Sequence, residues 1–190
     1  LTDMRFLPDR FVEGTCPNCA NPSARGDQCD VCGKPMNPAD MSHLRCRLCG
    51  NPPEFRDSQH LFLKLSSFQD KLLEWTRQQT QWRPNVLNFT RGYLEEGLHD
   101  RAVTRDLDWG VPVPFPGYEN KRIYVWFEAV IGYLSASKEW AQLQGEPAMW
   151  QEFWQDPAVR AYYFMGKDNI AFHTIIWPAI LMGSGGLNLP

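Results

Sequence analysis

All six cysteines of this 190-residue chain fall between Cys16 and Cys49, as three Cys-x2-Cys pairs: Cys16 with Cys19, Cys29 with Cys32, and Cys46 with Cys49. Two residues between thiolates let both sulfurs of a tight turn reach one metal ion. Pro17 preorganises the first turn. Gly33 and Gly50 follow the second and third, where a backbone without Cβ can point its N–H groups at sulfur. Only nine residues separate Cys19 from Cys29. This spacing predicts a four-cysteine zinc site made of Cys16, Cys19, Cys29 and Cys32. Structural disulfides are the competing reading, against which a reducing compartment and the paired spacing both argue. Cys46 and Cys49 cannot complete a tetrahedral site by themselves, so they form half of a second site or stay as thiols. Asp3 and His43 are candidate partners inside the chain, although His43 reads first as a solvated loop histidine, and a partner upstream of Leu1 is a further option.

Residues 33–57 are rich in proline and asparagine and carry too little periodic apolar content for a core. Metal must therefore supply much of the stability of a module spanning residues 1–57. A net charge of −3 gives no global attraction to nucleic acid, so any such contact needs a local basic patch. Apolar runs fall short of the ~20 residues of a membrane span, and no signal-peptide pattern opens the chain, which predicts a soluble, cytoplasmic protein. Leu1 is not a start methionine and Pro190 follows the flexible run Gly183 to Gly186, so both ends read as cuts within a longer protein.

From Gln59 the composition changes. Residues 58–100 predict a strand at His60–Leu65 and a helix capped by Ser66 or Ser67 with Phe68, Leu72, Leu73 and Trp75 on one face. A second helix follows Pro84 and ends near Gly97. Arg77, Arg83 and Arg91 read as a solvated face. Residues 101–190 begin with T-R-D-L-D-W-G-V-P-V-P, Thr104 to Pro114. Its two prolines forbid a helix, and its charges beside Trp109 and Gly110 suit a binding loop.

Arg122–Trp126 then predicts a central strand leading into a helix over Glu128–Lys138. Trp126, Ala129, Val130 and Tyr133 are spaced to line one pocket or to pack a core. A further helix near Pro147–Trp154 precedes Ala161–Met165, an aromatic strand. Gly166 permits a turn, and Asp168 is placed to cap the next helix. Ile170, His173 and Trp177 share a face of that helix, a pattern that fits a core with one satisfied histidine as well as a pocket. At least two strand-to-helix units predict an α/β architecture with an inserted zinc-knuckle module, and ligands in such folds sit at strand carboxyl ends.

The segments R-F-L-P-D-R-F-V-E-G-T-C-P-N-C, A-R-G-D-Q-C-D-V-C-G, T-R-D-L-D-W-G-V-P-V-P, Y-V-W-F-E-A-V-I-G-Y and F-M-G-K-D-N-I-A-F-H-T-I-I-W-P, in this order, resemble the methionyl-tRNA synthetase family. The resemblance runs over essentially the whole chain. It implies a partial Rossmann-type class I synthetase fold: the zinc-bearing connective peptide plus the second half of the catalytic domain. It implies that Trp126, Ala129, Val130, Tyr133, Ile170 and His173 bind methionine. Gly166 and Asp168 would approach ATP, with Asp168 on the ribose. Arg105 would organise the amino-acid site through a carboxylate upstream of the chain. The first two cysteine pairs match the family's zinc knuckle. In two-metal members a half-knuckle before F-L-P-D-R completes a second site, which would pair with Cys46 and Cys49.

The implied partners are methionine, ATP with Mg²⁺ and tRNA(Met), with no membrane and no DNA. The implied reaction forms methionyl-adenylate and then esterifies the tRNA. The family's H-x-G-H and K-M-S-K-S motifs do not occur in these residues, so the 190 residues alone are expected to be inactive. A reading from another class is a non-catalytic zinc-ribbon module that binds RNA or protein.

Overall fold

The computed structural model describes residues 6–190. Asp3, one of the partners considered for the third cysteine pair, lies outside the described residues. The cysteine-rich part is built on β1 (Val12–Thr15), flanked on both sides by antiparallel partners, β2 (Ala24–Arg25) and β3 (Ser42–Cys46). Such short strands cannot bury a conventional core. Their buried cluster is instead Cys16, Ala24, Cys29, Met36 and Met41, so the sulfur-bearing turns themselves make up the interior.

The rest of the chain packs around a second and larger core. It is assembled from α1 (Gln69–Arg77), α2 (Pro84–Glu95), α3 (Val125–Leu143), α4 (Trp150–Trp154) and α5 (Trp177–Ser184). Leu72, Leu94, Phe127, Ile175, Trp177 and Leu181 meet there, all nearly or fully buried. Trp177 therefore belongs to the core, with its indole edge-on to Trp154 at 5.8 Å. Two small antiparallel ladders tie the connections down: β4 (Phe62–Leu63) with β5 (Arg101–Ala102), and β6 (Thr104–Arg105) with β7 (Arg122–Ile123). No helix of the described residues is long and apolar enough to cross a membrane.

Several local expectations are corrected. Neither Ser66 nor Ser67 caps α1. A 3-10 turn at Leu65–Phe68 precedes the helix, Ser66 binds the Asp100 carboxylate through both its N–H and its hydroxyl, and Ser67 Oγ donates to the Lys64 carbonyl. The strand read over Arg122–Trp126 stops at Ile123. The Tyr124 N–H donates to the Val103 carbonyl, and the Phe127 and Glu128 N–H groups fold back onto the Tyr124 carbonyl to start α3 at Val125. An aromatic, β-branched run suits a buried first helical turn as well as a strand, and here Phe127 and Val130 bury themselves in the core.

Ala161–Met165 forms neither a helix nor a ladder strand among the described residues. Tyr162 and Phe164 are 77% and 94% exposed, because strand propensity becomes a strand only where a neighbouring edge pairs with it. After Gly166 the chain makes a 3-10 turn, Lys167–Asn169, that no side chain caps, so Asp168 is not a cap. Phe172–Ile176 is a π-helical turn in which the Trp177 N–H reaches the Phe172 carbonyl. Pro178 explains the widened register, since it has no N–H for the carbonyl four residues back.

Candidate functional site

The metal centre follows from three copies of one backbone turn. In each, the N–H of the first cysteine donates to the carbonyl five residues on: Cys16 to Asn21 at 2.9 Å, Cys29 to Lys34 at 3.1 Å and Cys46 to Asn51 at 2.8 Å. Its carbonyl accepts from the N–H four residues on, belonging to Ala20, Gly33 and Gly50. Those residues turn through positive φ of 57°, 74° and 75°, which is why glycine recurs there.

The first two turns face each other. The four Sγ atoms of Cys16, Cys19, Cys29 and Cys32 lie within 4.8 Å of one another, with Cys16–Cys32 at 4.0 Å and Cys19–Cys29 at 3.6 Å. A tetrahedron with ~2.3 Å zinc–sulfur bonds has edges of about 3.8 Å, so these residues fit zinc. Burial pushes the Cys29 thiol up, but the N–H groups of Cys32 and Val31 and the Asn21 amide outweigh it and bring it down to about 6, while burial pushes its neighbour Cys32 up to about 12, so Cys29 is the first of the two to give up its proton. No disulfide joins the cysteines among the described residues. The third turn, Cys46–Cys49, has the same fold, with His43 exposed and its Nδ1 3.4 Å from Thr15 Oγ1.

Next to this module, α3 meets the π-helical turn. His173 is buried, and its Nδ1 lies 2.9 Å from the Asn169 carbonyl, which can only accept. The proton therefore sits on Nδ1, Nε2 carries a lone pair, and the Tyr133 hydroxyl at 2.9 Å donates to it. Burial lowers the His173 pKa, with the Asn169 carbonyl opposing, which keeps the ring neutral. Tyr163 packs edge-on against both Tyr133 and His173, at 5.4 and 5.7 Å. Two turns earlier on α3, Trp126 lies 5.5 Å from Phe172. Ala129 is exposed between Trp126 and Tyr133, while Val130 and Ile170 are buried, Val130 within the main core. Thus Tyr133 and His173 touch directly, and Trp126 stands against the same π-helical turn through Phe172.

Gly166 and Asp168 form the adjoining turn. A Cβ at Gly166 would lie 2.6 Å from Asp168 Oδ1, so the carboxylate folds back across this glycine. Arg105 sits elsewhere on the wall. Its Nε donates to Asp9 at 2.8 Å, its Nη1 to the Ala102 and Thr104 carbonyls, and its guanidinium lies 3.9 Å from the centre of the Tyr124 ring. Among the described residues, then, the carboxylate that Arg105 engages is Asp9. Burial raises the Asp9 pKa more than Arg105 lowers it. The loop beyond Arg105 is anchored by Asp106, which accepts from Lys121 Nζ and Ser58 Oγ and lies 3.3 Å from His60 Nε2. Its Trp109 remains 86% exposed.

Sequence reasoning missed Asp9 and Asp27. Asp27 is buried and takes three donors: Arg10 Nη1 at 3.3 Å on Oδ1, and Trp126 Nε1 at 3.1 Å together with the Tyr124 hydroxyl on Oδ2. Both acids lie inside segments that carry the family resemblance through other residues, F-L-P-D-R and R-G-D-Q-C. An arginine that needs a carboxylate was the signal pointing to the first.

The chain belongs to the class I tRNA synthetases: the family model described as "tRNA synthetases class I (M)" matches residues 1–190. It is 68% identical over 186 residues to the methionine–tRNA ligase of Dehalococcoides mccartyi (strain CBDB1), covering 98% of this chain and 34% of that protein. The methionine–tRNA ligase of Thermomicrobium roseum is 59% identical over 189 residues, with 99% and 32% covered. Among solved structures, Mycobacterium tuberculosis methionyl-tRNA synthetase in complex with methionyl-adenylate superposes with a TM-score of 0.63 at 26% identity, covering 84% of this chain and 31% of that one. The chain spans about a third of the length of the curated relatives it matches. These matches support the class I fold and lend nothing to a stand-alone zinc ribbon.

Proposed function

We propose that these residues serve in an ATP-dependent methionine–tRNA ligase of the cytoplasm, as its zinc-bearing connective peptide and part of its catalytic domain. The observation that carries this reading is the Tyr133–His173 hydrogen bond beside Trp126 and Tyr163. A thioether is polarizable, favours aromatic edges and faces, and offers only a weak acceptor. A neutral, fully engaged histidine beside aromatic rings suits it, whereas a charged one would favour a carboxylate. Trp126, Ala129, Val130, Tyr133, Ile170 and His173 are assigned to methionine, Gly166 and Asp168 to ATP, and Arg105 to organising the amino-acid side of the site.

The reaction proposed is in-line attack of the methionine carboxylate on the α-phosphate of ATP, expelling pyrophosphate. Transfer to the terminal ribose of tRNA(Met) follows. Such chemistry rests on positioning and on neutralising phosphate charge, the latter with Mg²⁺. The 3-10 turn at Lys167–Asn169 and the His173 pair position two substrates on adjoining surfaces. Zinc would be held by Cys16, Cys19, Cys29 and Cys32 as a structural ion, and Cys46 with Cys49 would offer half of a second site.

The test is methionine-dependent ATP–pyrophosphate exchange. The full-length enzyme is expected to be active, with its methionine KM raised by Tyr133→Phe, whereas the 190 residues alone are expected to be silent. A full-length enzyme that exchanges a different amino acid would overturn the assignment.

A further inference from the structure

Asp27 and Gln28 are neighbours in the metal-bearing loop, immediately before Cys29, and both side chains reach beyond the module while keeping one bond inside it, for Asp27 the Arg10 Nη1 donor at 3.3 Å. Asp27 is 4% and Gln28 5% exposed. The Asp27 carboxylate ends on α3 and the residue before it, through Trp126 Nε1 and the Tyr124 hydroxyl. Gln28 Nε2 donates to the Gly33 carbonyl at 2.9 Å within its own loop and to the Asp168 carbonyl in the following domain. Lys167 Nζ returns a bond to the Val31 carbonyl at 3.2 Å. Two adjacent side chains thus reach two different walls of the site.

We propose that Asp27 and Gln28 are positioning residues that brace the two substrate walls separately, Asp27 setting the Trp126 indole for methionine and Gln28 setting the Gly166–Asn169 turn for nucleotide. This rests on the functional reading above. A carboxylate oxygen taking both an indole N–H and a phenol O–H fixes the rotation of two large rings. Without it two buried or half-buried donors are left unpaired, and Trp126 is released from the orientation that faces Phe172. The Gln28 amide acts on a backbone carbonyl, so it sets the path of the turn rather than a side chain. In this reading each acts through another group, Asp27 through the indole and Gln28 through the turn.

The experiment measures methionine and ATP KM separately by pyrophosphate exchange in the full-length enzyme, with zinc content checked for every variant. Asp27→Leu is expected to raise the methionine KM about tenfold, with the ATP KM within about twofold. Asp27→Asn, which keeps an oxygen facing the indole, returns it to within about threefold. Gln28→Leu is expected to show the opposite split, an ATP KM raised about tenfold with the methionine KM little changed. Should Asp27→Leu lose zinc, Asp27→Ser carries the same test with a smaller side chain. A general structural role predicts both KM values moving together, or kcat and yield falling with KM unchanged, and either result overturns the proposal. So do unchanged KM values in variants that retain zinc while Tyr133→Phe raises the methionine KM. If Tyr133→Phe and His173→Ala also leave the methionine KM unmoved, the assignment of the pocket itself falls.

Discussion

The Tyr133 hydroxyl donates to His173 Nε2 across the junction between α3 and a π-helical turn, 40 positions apart in sequence and 2.9 Å apart in space. The direction of that bond is dictated from behind by the Asn169 carbonyl, which claims the Nδ1 proton. Removing the hydroxyl leaves a buried lone pair unpaired, at a cost of about 1–3 kcal/mol. Tyr133 is 41% exposed, which lets water repair part of the loss and places the effect near the lower end. Tyr133→Phe is therefore expected to raise the methionine KM about fivefold to tenfold with little change in melting temperature. Steady-state exchange kinetics with a thermal melt on the same sample checks both halves of the statement.

The same pair sets a pH dependence. The pKa of His173 is lowered by burial, so the unfolded chain takes up a proton near pH 6.5 while the folded one still resists. Stability from the neutral ring is full above that value and declines as pH falls below it. Methionine binding follows the same sign, because protonation turns Nε2 into a donor and forces the Tyr133 hydroxyl to reverse. Binding is expected to be flat from pH 8 through the ordinary histidine range and to weaken only below it. A titration of methionine affinity that fell midway at an ordinary or higher histidine pKa would contradict this.

What was legible in the sequence divides along a physical line. The cysteine turns were legible because spacing and positive-φ glycines are local, and the Pro84 helix was legible because its start and its Gly97 stop are local signals. Ala161–Met165 and Arg122–Trp126 misled because strand propensity is decided by neighbours that a linear reading does not supply. The one-turn displacement of α3 followed from the same cause. Arg105 was found, but its pairing with Asp9 joins residues 96 positions apart, and Asp27 serves Trp126 from 99 positions away. The π-helical turn had a visible cause in Pro178, although Ile170, His173 and Trp177 were read at α-helical spacing. The core reading of that face holds for Trp177, which is 1% exposed, while its Nε1 donates to the Tyr163 hydroxyl beside His173.

The metal-bearing module has so little apolar interior that its ligands are its core. About one tightly held zinc per chain is expected, and Cys29→Ser or Cys16→Ser should release it. The loss should reach beyond the module, since Asp27 and Gln28 hold parts of both substrate walls. The variants are expected to lose melting temperature and exchange activity together. Elemental analysis alongside calorimetry tests this. A folded, active, zinc-free enzyme would refute it, and a ratio near two would show that the Cys46–Cys49 turn also finds partners.

Gly166 separates function from stability. Its φ of −69° and ψ of 158° are open to any residue, so the backbone does not require glycine there. What excludes a side chain is the Asp168 carboxylate, whose Oδ1 would lie 2.6 Å from an added Cβ. That oxygen is the end of a rotatable side chain and can swing aside cheaply. The substitution also removes freedom from the unfolded chain, a gain of about 0.4–1 kcal/mol where the native angles allow it. Gly166→Ala is thus expected to melt at the same or a slightly higher temperature while its ATP KM rises about tenfold, the methionine KM staying near its original value. The mechanism demands that the carboxylate be displaced while the fold is kept. A variant that melts lower and loses both substrates equally would show instead that the glycine serves the chain path, and that Asp168 is not what it protects.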